Sequence, residues 1–298
     1  MRSLKFKKID AFTKGTSSGN PAGYVLLDGE GSLTEEEMQR IARELKGYVN
    51  EVGYVRRAGE AFQLKFYSSE CEVAFCGHAT IAIMYDLLST DRSLGGQSEV
   101  SIEIGGQTLS VFNYIEEEDA VYIMAPDPEF LACDLSAPEV AGILGAGVSD
   151  MDEALPIGLV NGGLRTLLVP LKSLSCCLGL LPDEEDLRAF CVANGIDIVL
   201  VFTAETHCPG NRYRTRVFGP RFGYLEDPAT GSGNAALGYY LIDRNLWDGD
   251  ITVEQGPDRD TPNLIKLKRY ERNGKVNMIF GGCGTTRVDG RYLLHGLG

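Results

Sequence analysis

Two stretches of this 298-residue chain, Ala79–Leu88 and Ala229–Leu246, are apolar on nearly every helical face. A helix without a polar face must be enclosed by other structure, so each needs a shell of its own. Both open with small residues: Cys76-Gly77-His78-Ala79-Thr80 in one case, Thr230-Gly231-Ser232-Gly233-Asn234 in the other. Strand-like runs surround each. Before and after the first come Leu4–Phe12, Gly23–Leu27, Glu51–Arg56, Ala61–Tyr67, Ser98–Ile104, Gln107–Ile115 and Ala120–Ala125. Around the second come Leu155–Val160, Leu164–Val169, Ile196–Thr203, Arg212–Phe218 and short strands at the end. The pattern predicts an α+β chain of two similar halves. Each half is a mixed, largely antiparallel sheet wrapped around one central helix, and the two helix starts face each other across a cleft.

The length exceeds that of a usual single domain. The Pro-rich stretch 126–138 reads as the linker, which divides the chain into 1–125 and 126–287, with a last strand, 288–298, joining the first half. Two further helices are legible. Thr34 with Glu37 forms a capping box, and Met38, Ile41, Ala42 and Leu45 follow at helical spacing to about Lys46. Asp183–Asn194 is the other.

Charge and cysteine usage narrow the function. The formal net charge is −14, and no Lys/Arg cluster offers the basic stripe that nucleic acid requires. No long apolar run predicts a membrane span, and the first residues lack the apolar segment of a secretion signal, so the expected location is the cytoplasm. The eight cysteines have none of the paired short spacings of a zinc site, and free thiols are expected.

Three places carry candidate chemistry. In Asp227-Pro228-Ala229-Thr230-Gly231-Ser232-Gly233, a proline and two glycines lead into a helix whose first N–H groups have no partner within the helix. Those groups and the helix dipole form an anion site suited to a substrate carboxylate. A packing role for the glycines is the competing reading. Gly231, Gly233 and Gly238 do not match the dinucleotide fingerprint, and Ser232 lacks the GxSxG context of a nucleophile. At the first helix, His78 lies in the first turn, where the dipole favours a neutral imidazole, and the same field would lower the pKa of Cys76. A structural role for either residue is the competing reading. Glu51 heads the strand-like run Glu51-Val52-Gly53-Tyr54-Val55, and nothing local separates it from a solvated rim carboxylate.

The ordered set Gly19-Asn20-Pro21-Ala22-Gly23, Asn50-Glu51-Val52-Gly53-Tyr54-Val55, Cys76-Gly77-His78-Ala79-Thr80 and Glu226-Asp227-Pro228-Ala229-Thr230-Gly231-Ser232 resembles the PhzF-like (phenazine biosynthesis-like) isomerases over nearly the whole chain. Glu254-Gln255-Gly256 and Phe280-Gly281-Gly282 are similar to that family's last strands. The resemblance implies a diaminopimelate-epimerase-like fold of two pseudo-symmetric halves with the site between them. It implies a cofactor-independent isomerase that needs no metal, flavin or pyridoxal phosphate and acts on a small carboxylate-bearing molecule. Homodimers are common among such proteins. By this resemblance Glu51 moves the proton, and Asp227 and His78 assist. Gly231 and Ser232 hold the substrate carboxylate, and Asn50 and Gly77 make further substrate contacts. Two departures stand out. Asn50 replaces the serine of many relatives. Cys76 matches one thiol of the two-thiol proline-racemase-like enzymes, but Ala229 stands at the position of the second. That argues against a two-thiol racemase and leaves open a mixed pair, Cys76 or Glu51 with Asp227. An amino-acid racemase without pyridoxal phosphate and a non-catalytic ligand-binding relative are the alternative readings.

Overall fold

A computed structural model describes residues 1–27, 33–59, 61–91, 93–94, 96–272 and 274–296, and they fall into two units. Unit 1 is Met1–Thr13, Ser18–Met124 and Gly281–Gly298; unit 2 is Lys14–Ser17 and Ala125–Phe280. Residues 297 and 298 of the expected last strand lie outside the described residues. The segment returning to unit 1 begins at Gly281, earlier than the 288 expected from sequence.

Unit 1 runs β1 (Arg2–Ala11), β2 (Asn20–Leu26), α1 (Glu35–Glu44), β3 (Glu51–Ala58), β4 (Ala61–Ser68), β5 (Glu72–Val73), α2 (Gly77–Thr90), β6 (Glu99–Ile104), β7 (Gln107–Tyr114), α3 (Ile115–Glu118) and β8 (Ala120–Met124). Pairing is antiparallel except for β2–β3 and β4–β6. The return segment supplies a long strand, Gly284–Leu294, antiparallel to β1 from Arg2↔Leu294 to Ala11↔Gly284. The apolar helix α2 is enclosed as its sequence requires: Ala79–Met84 and Asp86–Leu88 are buried against β1, β2, β3, β8 and the returning strand. Gly53 explains how closely β3 passes, since a Cβ there would lie 2.4 Å from Ile83 Cδ1. The amphipathic α1 covers another face, with Met38, Ile41 and Ala42 packed among Phe6, Val25, Val49 and Val52. Its capping box is formed: Thr34 Oγ1 accepts from the Glu37 N–H, and Glu37 Oε2 accepts from the Thr34 N–H.

Unit 2 contains β9 (Glu129–Leu131), α4 (Ala137–Ile143), β10 (Gly158–Asn161), β11 (Arg165–Pro170), α5 (Leu174–Gly179), α6 (Glu184–Ala193), β12 (Ile198–Thr203), β13 (Tyr213–Phe218), β14 (Glu226–Asp227), α7 (Gly231–Asp243), β15 (Ile251–Gln255) and β16 (Asn263–Arg272), followed by β17 (Lys275–Gly282), whose last two residues belong to unit 1. Its pairing is again mixed, with β11–β12 and β13–β15 parallel and the other registered pairs antiparallel. Alternation along β12 sorts the two faces. Val199 and Val201 join the core built on α4 and α6, whereas Ile198 and Leu200 meet Gly233 of α7. Helix α7 is buried from Gly233 to Leu241. Two expectations change here. Residues 126–138 are not a bare linker, because β9 pairs with β10 and Ser136 caps α4. Helices α4 and α5 have no counterpart in the sequence reading, being seven and six residues long.

Among the described residues no helix is long and apolar enough to cross a membrane.

Candidate active site

In unit 1 the structure brings Glu51, Cys76 and His78 together. Glu51 enters β3 opposite Ala22 of β2 and Ser68 of β4. Cys76 is the N-cap of α2 and makes no side-chain cap; its carbonyl takes the N–H and hydroxyl of Thr80. His78 is the second residue of that helix. Its Nε2 lies 3.1 Å from Glu51 Oε2, and its Nδ1 lies 3.4 Å from Cys76 Sγ. Glu51 Oε2 is buried, yet it accepts no hydrogen bond of acceptable angle. The His78 ring is thus its close polar neighbour, and the two form an ion pair when that ring is protonated.

The local electrostatics reverse two expectations taken from the helix start. Burial pushes the Cys76 thiol up, although the nearby His78 ring and the Ala79 N–H work in the other direction. Burial also opposes the His78 imidazolium, but the Cys76 sulfur and the Glu51 carboxylate outweigh it, and the pKa of His78 is raised well above the ordinary value. The dipole alone would have lowered both. At Cys76 burial outweighs the dipole, and at His78 the two close neighbours outweigh burial and dipole together.

Gly77 begins α2 directly before His78. Asn50 precedes Glu51 but is exposed, and its Nδ2 donates to Asn20 Oδ1 at 3.0 Å.

In unit 2 the candidates cluster at the start of α7. Asp227 is buried on β14, and the Thr230 hydroxyl donates to its Oδ2. Thr230 is the N-cap yet caps nothing with its side chain. Gln255, fully buried on β15, organises the turn. Its Nε2 donates to the Asp227 carbonyl at 2.9 Å and to Thr230 Oγ1 at 3.0 Å. Its Oε1 accepts from the Thr230 N–H at 3.0 Å and from Asn234 Nδ2 at 2.7 Å. Gly231 is buried and Ser232 half-buried in the first turn. A Cβ on Gly231 would lie 2.2 Å from the Phe280 ring, so packing alone demands glycine there. Gln255 is the residue that sequence reasoning missed as a contributor. Its signal in the sequence is the Glu254-Gln255-Gly256 run, which by itself reads only as a strand.

Residues 9–290 match the family model described as phenazine biosynthesis-like protein. The chain belongs to this family. An isomerase of Bacillus subtilis, YfhB, is 32% identical over 286 residues, 93% of this chain and 95% of that protein. The trans-2,3-dihydro-3-hydroxyanthranilate isomerase of Pseudomonas chlororaphis is 27% identical over 295 residues, covering 96% and 98%. The crystal structure of a PhzF-family protein of Bacillus anthracis superposes with a TM-score of 0.86 at 27% identity, over 99% of this chain and all of that one. A proline-racemase-like protein of Agrobacterium radiobacter, 13% identical, shares the fold at a TM-score of 0.63, over 98% of this chain and 93% of that one. The chain is therefore an isomerase with the epimerase-like α+β fold of the PhzF-like family.

Proposed function

We propose that this isomerase shifts a proton between carbons of a small carboxylate-bearing substrate, with Glu51 taking the proton from one carbon and returning it to another. The observation that carries the reading is the buried Glu51 carboxylate oxygen, 3.1 Å from His78 Nε2 and without a hydrogen bond of its own. A carboxylate held by one neighbour and left with unused acceptor capacity is suited to proton transfer. His78 orients it. No cofactor enters this chemistry.

At the start of α7, the Thr230 hydroxyl is committed to Asp227 and Gln255. The first-turn amides, those of Gly231 and Ser232 included, thus have no side-chain cap. In this reading they bind the substrate carboxylate, where helix-end N–H groups stabilise negative charge. Asp227, fixed through Thr230, assists the proton shift. Asn50 and Gly77 are further proposed substrate contacts. The Pseudomonas chlororaphis relative is named for a dihydro-hydroxyanthranilate, so a carboxylated unsaturated ring is the first substrate class to screen.

Racemisation of an amino acid calls for acid and base on opposite faces of one carbon. Here Glu51 and Cys76 offer their ligand atoms within 4.8 Å of each other, and Ala229 carries no proton-transferring group. That grouping favours transfer on a single face. In deuterated water the enzyme should therefore not exchange the α-hydrogen of amino acids, and such exchange would sink this reading. Glu51→Gln should lower turnover of a cyclic dienoic acid ~10²–10⁴-fold, the usual worth of acid/base catalysis, with substrate binding kept. Turnover unchanged in that variant would remove Glu51 from the role.

A further inference from the structure

Glu51, Cys76 and His78 offer an oxygen, a sulfur and a nitrogen with all three ligand atoms within 4.8 Å of one another. His78 Nε2 lies 3.1 Å from Glu51 Oε2 and 3.9 Å from Cys76 Sγ. Around a tetrahedral zinc ion, with bonds of about 2.0–2.3 Å, ligand atoms stand about 3.3–3.7 Å apart. The observed separations bracket that range, so seating an ion needs side-chain adjustment rather than a new backbone. The donor set is selective: thiolate and imidazole suit zinc and its neighbours, not magnesium or calcium. Glu51 Oε2 adds a second sign: it is buried and faces the His78 ring at 3.1 Å without forming a hydrogen bond, so a cation would give it the direct contact it lacks.

From this we infer that the cluster is a binding site for one zinc-like divalent cation, and that the bound cation switches the isomerase off. Three protein ligands would hold the ion and leave its fourth position open to water. Coordination releases two protons to solvent, one from the Cys76 thiol and one from the His78 imidazolium, and engages Glu51 as a ligand, so the carboxylate that would carry a substrate proton is no longer free. Metal occupancy and catalysis exclude each other. Nothing in the spacing of residues 51, 76 and 78 resembles a short zinc motif. The site is assembled by β3 meeting the start of α2.

The site shares its residues with the proposed proton transfer, but its test does not depend on turnover. Metal-free, fully reduced protein would be titrated with Zn²⁺ against a chromophoric chelator. One ion per chain should bind, and Cys76→Ser and His78→Gln should each weaken it at least ~10-fold, the lower end of what disturbing even a ligand's support costs. Cys71→Ser and His207→Gln, which change a thiol and an imidazole that are not among the three ligands, should leave the affinity unchanged. Retained affinity in Cys76→Ser and His78→Gln, loss in the Cys71 and His207 variants, or no binding at all would overturn the inference. Since substitution at a buried position can impair folding, the unmodified protein should also be titrated with Co²⁺. A thiolate-to-cobalt charge-transfer band with tetrahedral d–d bands supports the site, and their absence overturns it. If Glu51→Gln left turnover intact, the proton-transfer reading would fall while these binding measurements still decided the metal site.

Discussion

At the scale of single residues, the same short stretch can be demanded by packing and by chemistry at once, and Gly231 shows how to separate them. Its missing Cβ is forced by the Phe280 ring, whatever its amide does. Gly231→Ala should cost about 1–3 kcal/mol of unfolding free energy through overpacking, measured in urea. Reducing the ring by Phe280→Leu in the same chain should restore part of it. Glu51 is the opposite case. In sequence it has the surroundings of any rim carboxylate, because its partners His78 and Cys76 are far along the chain and only the β3–α2 packing unites them. The ordered motif pattern singled it out, and local residue chemistry did not. The pKa shifts of His78 and Cys76 run against their helix position for a related reason. A helix position can be read from sequence, but burial and a carboxylate 3.1 Å away cannot.

At the scale of elements, legibility followed length and periodicity. Helix α1 announced itself by its capping box and apolar stripe, and α2 and α7 by their lack of a polar face. The helices α4 and α5 are too short to establish a period, and their N-caps, Ser136 and Ser173, are single serines among many. The entry to α7 depends on a partner from another element. Gln255 on β15 makes four hydrogen bonds to the turn that begins the helix. Gln255→Leu keeps the bulk and removes all four. The Thr230 N–H and the Asn234 amide are then buried without this partner, at about 1–3 kcal/mol for each group left unsatisfied. Chemical denaturation should register that loss. Gln255→Glu, which retains the acceptor but not the Nε2 donor, should recover only part of it.

At the scale of the whole molecule, acid sensitivity has an identifiable contributor. Arg214 and Glu254 are both fully buried and lie 3.3 Å apart. Burial alone would raise the Glu254 carboxyl, but donors on Asn211, His207, Cys208 and Arg214 outweigh it and hold it below the ordinary value of 4.5. A depressed folded-state value adds stability that is fully present above the unfolded value and fades as pH falls through the folded one. Glu254→Gln should therefore be destabilised by about 3–5 kcal/mol at neutral pH, where it leaves the Arg214 charge buried and unpaired. That deficit should narrow below pH 4.5 as the native protein loses its own carboxylate. Thermal melts across pH 3–7 would read the convergence, and a gap of constant size would refute the assignment.

The pairing of β1 with the strand 284–294 also sets an order of events during synthesis. Strand β1 is flanked on one side by a neighbour, β2, that emerges from the ribosome soon after it, and on the other by one that emerges only after unit 2 has been translated. Until then the edge of β1 that will receive that partner is unsatisfied, and an open edge is a template for the wrong strand. Nascent chains arrested before residue 281 should thus be the aggregation-prone species, and a peptide spanning 281–296, supplied in trans, should protect them.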